Sequence, residues 1–176
     1  MTQASKLVLE NSLQYFFYEQ LDEANKKCVR PLPNEIIFYS SIVMDQYGSS
    51  NKYFETVDGK VREKILGIKL LESSHLPKDK QKSAVKDIGE TALLLCGYFS
   101  DSLNKKIVDT KYYNEIGVLA YSRLNSFIPN AYDTPNFFAK MSKNFCQVTS
   151  LISLISEKQI NDATGFFLIL TDKKAV

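Results

Sequence analysis

Tryptophan is absent from this chain of 176 residues, and histidine occurs once, as His75. A catalytic triad, a histidine-ligated metal or a histidine proton shuttle would each have to use that one side chain. It stands in Ser74-His75-Leu76-Pro77, a break between two helical patterns, where a solvated loop residue is expected. Neither HExxH nor an EF-hand loop occurs, so no metal and no cofactor is expected. Glycine occurs only seven times and never as GxGxxG or as a P-loop, which removes the backbone cradles that hold nucleotide phosphates. The three cysteines, Cys28, Cys96 and Cys146, are odd in number, widely spaced and without a CxxC. Neither a disulfide framework nor a zinc site follows, and reduced, buried thiols are expected.

No segment approaches the ~20 apolar residues of a membrane span. The opening MTQASKLVLENS lacks a basic stretch followed by an apolar one, and there is no Asn-x-Ser/Thr sequon. The expectation is a cytoplasmic protein with no membrane insertion. Net charge is small: 22 Lys and Arg against 20 Asp and Glu leave +2, so a general attraction to nucleic acid or anionic lipid is weak.

What is present is an ordinary globular composition, 44% hydrophobic and 24% charged, in one domain spanning 1–176. Such a chain buries roughly 70% of its unfolded surface. Helical periodicity dominates, and the fold class is all-α, a bundle of six or seven helices. A first helix is expected over Ser5 to Lys27 with Leu9, Leu13, Phe16, Phe17, Leu21 and Ala24 inside, broken by Arg30-Pro31-Leu32-Pro33. A second runs from that break to Gly48 on Ile36, Ile37, Tyr39, Ile42 and Val43. Residues 52–59 are expected as a loop or short helix, with a hairpin at Asp58-Gly59 as the competing reading. A third helix is expected over Lys60 to Ser73, with Val61, Ile65, Ile68 and Leu71 inward.

The central helix is placed at about 77–103. Ala92 to Phe99 are eight consecutive apolar residues, the mark of a helix covered all round, and Val85, Ile88, Ala92, Leu95, Phe99 and Leu103 recur at spacings of three and four. The next helix is capped by Asp109 or Thr110 and carries Tyr113, Ile116, Ala120 and Phe127. Gly97 and Gly117 each cost about 1 kcal/mol against Ala in a helix, for which a close helix crossing would compensate. Thr134 and Pro135 open a helix whose stripe is Phe138, Met141, Phe145, Val148, Ile152 and Ile155. That stripe reads as a core face, with a homodimer seam through 135–157 as the alternative. The run Gly165 to Leu170 is a last helix capped by Asp162, or a strand.

Chemistry is thinly signalled. Asp87, Glu90, Asp101, Asp109 and Glu115 each sit where a solvated face or a helix cap accounts for them, and catalysis is not expected. Lys78, Lys80, Lys82 and Lys86 alternate with Asp79 and Asp87 and lack interleaved aromatics, which suits a solvated face better than phosphate binding. The best candidate contact surface is the polar elbow after the central helix. There Tyr98, Phe99, Tyr112 and Tyr113 border Lys105 and Lys106, and the partner-binding candidates are Tyr98, Asp101, Lys105, Lys106, Asp109 and Tyr112. The functional expectation is a non-enzymatic adaptor or regulatory protein that contacts another protein through an exposed helical face. A bundle enclosing a small apolar or aromatic ligand is the runner-up, and weak nucleic-acid binding through the Lys78 to Lys86 face is third.

Overall fold

The computed structural model describes residues 12–103 and 109–161, with side chains to Glu157. The helix start at Ser5, Leu9, Lys105, Lys106, Asp162 and the Gly165 to Leu170 run lie outside the described residues. Among those described are eight helices and two small antiparallel pairs of strands, arranged as a mostly helical domain with one core.

Helix α1 (Leu13–Lys26) is capped by Ser12, whose Oγ accepts from the Tyr15 amide at 3.1 Å. The turn after it is held from inside: buried Asn25 donates to the Leu32 carbonyl at 2.9 Å and accepts from the Leu32 amide at 2.7 Å. Pro33 then presets the entry to α2 (Asn34–Asp45), whose C-cap Gln46 lies two residues short of Gly48. Phe17, Leu21, Ile36, Ile37, Tyr39 and Val43 are buried as their spacing requires, and Ile42 is half-buried.

Residues 52–63 correct the sequence reading. After a 3-10 turn at Ser50–Lys52, β1 (Phe54–Val57) pairs with β2 (Lys60–Glu63) in the register Val57 opposite Lys60. Asp58 and Gly59 both take positive φ, 51° and 73°, so the Asp-Gly pair makes a two-residue primed turn and prevails over helix propensity. Helix α3 therefore begins at Leu66 and ends at Ser73. Its buried side is Leu66, Leu70 and Ser73, and the four residues expected inside, Val61, Ile65, Ile68 and Leu71, are exposed. Five aliphatic residues among the nine from Ile65 to Ser73 let the 3.6 period fit either face.

Helix α4 (Lys78–Tyr98) is the axis of the fold and packs against α2, α3, α6 and α8. Val85, Ile88 and Ala92 are buried, but the core line continues through Leu93, Leu94 and Cys96. Leu95 is half-buried and Phe99 exposed, because the helix breaks at Phe99 and these two side chains face the hairpin side. A single turn, α5 (Ser100–Leu103), follows, with Leu103 returning to the interior. Helix α6 (Thr110–Phe127) is capped by Asp109, which accepts from the Tyr112 amide at 3.1 Å. It buries Gly117, Ala120, Tyr121 and Leu124, with Tyr113, Ile116 and Phe127 half-buried.

The expected helix from Thr134 starts later and is split. Thr134–Pro135 (β4) pairs with Asn130–Ala131 (β3) across Tyr132 and Asp133, both at positive φ, and Asn136 at φ 54° turns the chain into α7 (Phe137–Lys143). Asn144 interrupts the helix before α8 (Phe145–Asn161). The stripe survives the break, since Phe138, Met141, Phe145, Val148, Ile152 and Ile155 are all buried in this chain's own core.

Close crossing occurs at both glycines singled out in the sequence. A Cβ on Gly97 would run into Ile152 of α8, and one on Gly117 into the Phe145 ring. Gly97→Ala should therefore destabilise by about 1 to 3 kcal/mol, although Ala is the better helix former. Urea denaturation of Gly97→Ala, Ile152→Ala and the double variant will show a double cost below the sum of the singles, because trimming Ile152 makes room for the new methyl.

Candidate functional site

The elbow does not form one surface among the described residues. Tyr98 turns inward and stacks on Tyr47, centroids 4.5 Å apart and planes 18° from parallel, and its buried hydroxyl has no hydrogen-bond partner among the described residues. Burial pushes that hydroxyl above the usual tyrosine range. Phe99 meets Tyr53 edge-on at 5.6 Å. Asp101 is exposed on α5, and Asp109 serves as the α6 cap. Tyr112 sits edge-on to Tyr113 at 5.4 Å, with its hydroxyl over Gly67 of α3. The elbow thus divides: Tyr98 and Phe99 turn toward Tyr47 and Tyr53, while Tyr112 leans on α3.

Phe99 and Tyr113 also line a cavity of about 250 Å³ between the hairpin and α4 to α6, with Tyr53, Phe54, Leu95 and Leu103. Thr91, Ser102, Glu63 and Lys64 supply its polar edge. The Thr91 hydroxyl is engaged, donating to the Lys52 carbonyl at 3.2 Å.

Beside this cavity lies a charge network that sequence reading missed. Glu90, expected on a solvated face, is 4% exposed. Its Oε2 accepts from Lys52 Nζ at 2.9 Å, and its Oε1 accepts from Tyr39 Oη at 3.1 Å with Lys86 Nζ 3.8 Å away. Lys52 also reaches Asp87 at 2.9 Å, and Lys64 holds the other Asp87 oxygen at 3.0 Å. Tyr39 Oη lies 3.4 Å from Tyr121 Oη. Burial acts to lower the Lys52 pKa, but Glu90 and then Asp87 outweigh it and hold the ammonium above the usual lysine range. Burial drives the Tyr39 and Tyr121 hydroxyls far above theirs, with Glu90 adding to both. The signal available in the sequence was a glutamate set among apolar and small residues, Ile88 to Leu95, inside the core helix.

Elsewhere the charged residues behave as a surface. Lys78, Lys80 and His75 are exposed, and Lys82 lies 3.9 Å from Asp79. The cysteines are free, but only Cys96 is buried; Cys28 is half-buried and Cys146 exposed, because Cys146 lies outside the Phe145, Val148, Ile152 stripe. Burial pushes the Cys96 thiol up to about 12, where it is inert at neutral pH. No group of three or more His, Cys, Asp or Glu among the described residues is placed to hold a metal, and no described helix is long and apolar enough to cross a membrane.

Among the described residues, the outer side of α3 is an exposed apolar surface. Ile65, Ile68 and Leu71 are 52%, 48% and 70% exposed, opposite buried Leu66 and Leu70. Glu72 stands among them, 3.9 Å from Lys69, and Lys69 is itself paired with Glu55 of the hairpin. No family model, curated protein or solved structure matches the chain.

Two outcomes test the network. Lys52→Met leaves Glu90 buried without its nearest cation and should cost roughly 3 to 5 kcal/mol in urea denaturation, while adding Glu90→Leu should recover most of that loss. Within the network three groups have a pKa raised by folding, Lys52, Tyr39 and Tyr121. Stabilisation of this sign is complete below the unfolded values, about 10 for both residue types, and is lost as pH climbs toward the folded values. The melting temperature should fall steeply above about pH 10, and Tyr39→Phe should soften that fall.

Proposed function

We propose that the protein is a non-enzymatic interaction module that contacts a protein partner through the outer face of α3. The observation that carries this reading is the exposure of Ile65, Ile68 and Leu71 on one side of a helix whose other side is already fully packed. Three large aliphatic side chains held in water by a rigid helix are what a contact surface contributes to a complex. Tyr112 of the elbow, resting over Gly67, borders the same surface and supplies a ring with a polar tip. Glu72 in the middle of the face argues for a protein over an anionic lipid surface, which would repel it. The most enclosed carboxylate, Glu90, is saturated by cations and a tyrosine hydroxyl, which supports structural use over acid-base work. A regulatory or adaptor role in the cytoplasm fits these features.

The 250 Å³ cavity favours a second reading, a small aromatic ligand held between Tyr53, Phe99 and Tyr113. Native mass spectrometry of protein purified from its own cell would reveal such a molecule.

The α3 surface is tested with Ile65→Ser/Ile68→Ser/Leu71→Ser. Because the three side chains face solvent, the melting temperature should stay within the range of surface changes, under about 0.5 kcal/mol per site. Affinity for partners captured by the unaltered protein should drop by about 2 kcal/mol or more, near thirtyfold. Undiminished retention of every partner at unchanged stability would reject α3 as the contact surface.

A further inference from the structure

Across α1, α2 and the β3–β4 turn, the exposed apolar side chains are rings instead of aliphatics. Tyr15, Phe38 and Tyr132 are 52%, 43% and 38% exposed, and Tyr18 is half-buried. Tyr18 meets Phe38 at 6.5 Å and Phe38 meets Tyr132 at 6.3 Å, both edge-on, so three elements join in one row. The row is anchored from below, where Tyr132 touches Phe137 at 4.9 Å and Tyr39 at 5.6 Å.

The charge on this side is opposite in sign to that of the whole chain, which is +2. Helices α1 and α2 carry five acids, Glu19, Asp22, Glu23, Glu35 and Asp45, and one base, Lys26. That base lies 2.6 Å from Asp22, and the following Lys27 lies 3.8 Å from Glu23, so both cations are confined to the end of α1. Glu19 is four residues from Tyr15 and Glu35 three from Phe38, which puts each carboxylate beside a ring on the same helix face.

Rings present a negative face, and a guanidinium or ammonium set over one with a carboxylate at its edge gains from both. The ring steps of 6.5 and 6.3 Å also match a specific ligand geometry. In an extended peptide, side chains on one face recur every second residue, about 6.7 Å apart. We propose that this row binds an extended basic peptide segment with arginine or lysine at alternate positions, its cations over Tyr18, Phe38 and Tyr132 and flanked by Glu19 and Glu35. Nucleic acid and anionic lipid are repelled by the same carboxylates. The α3 face takes no part in this site.

The test uses the full chain and a fluorescent peptide, Arg-Ser-Arg-Ser-Arg, read by anisotropy. One-to-one binding is expected, weakening as salt rises from about 0.05 to 0.5 M. Arg-Arg-Arg-Ser-Ser, with the same composition and a different spacing, should bind more weakly. Phe38→Ser and, separately, Glu19→Lys/Glu35→Lys should each lower affinity roughly tenfold. The charge variant touches only exposed residues and stays informative if Phe38→Ser fails to fold. Absence of binding at low salt, equal affinity for both peptides, or undiminished binding by a folded Glu19→Lys/Glu35→Lys variant would overturn the proposal. Concentration-dependent self-association that the charge variant abolishes would put a second copy of this chain on the face and overturn it too.

Discussion

The carboxylate of Glu90 is the constraint around which the surrounding elements are arranged. A charge carried into the middle of a core helix is tolerated only when cations and hydrogen-bond donors follow it inside. Lys52 arrives from the turn before the hairpin, and Lys64, one residue past β2, completes the set by holding Asp87. The hairpin is therefore fastened to α4 by ion pairs at both of its ends, which explains how two four-residue strands persist beside a helical bundle. Tyr39 brings in α2, and Tyr121, 3.4 Å from it, brings in α6. One ionised group thus couples four segments far apart in the chain. A hydrophobic replacement could match its stability, so its value to the fold is in allowing a single arrangement of those segments.

Fold class was legible because several helices carry an unambiguous stripe and a cap at the boundary. Pro33, Pro77 and Asp109 all mark helix starts, and the six-residue stripe from Phe138 to Ile155 is buried throughout. Legibility failed where a local signal had two solutions. Asp58-Gly59 was readable as a primed turn but competed with a helical pattern extending from Lys60, and the error carried the wrong face of α3 with it. Thr134 and Pro135 form a plausible helix start, yet the chain first makes a tight pair with Asn130 and Ala131. The candidate site was harder still. Tyr98 and Tyr112 differ in fate because one meets Tyr47 and the other Gly67, contacts 51 and 45 residues away that no local pattern encodes.

The two apolar surfaces differ in chemistry as well as in place. The α3 side offers branched aliphatics that make no hydrogen bonds, suited to a partner's own apolar ridge. The α1 and α2 side offers rings among carboxylates, suited to cations. The two proposed contacts rest on different residues, so each can be removed by substitution without altering the other.

The glycine notches at Gly97 and Gly117 bear on how this bundle deforms. Ile152 seats in one and Phe145 in the other, both from α8, so α8 is keyed to α4 and to α6 at points two turns apart along its own length. Sliding α8 by a single residue, about 1.5 Å, would drive both side chains into backbone. Shear between packed helices, a common route of domain motion, is closed to α8 in this core. The hairpin and α3 are mounted on this core from outside, through ion pairs and one packed face. The keyed helices form a chassis, and these two pieces are mounted on it.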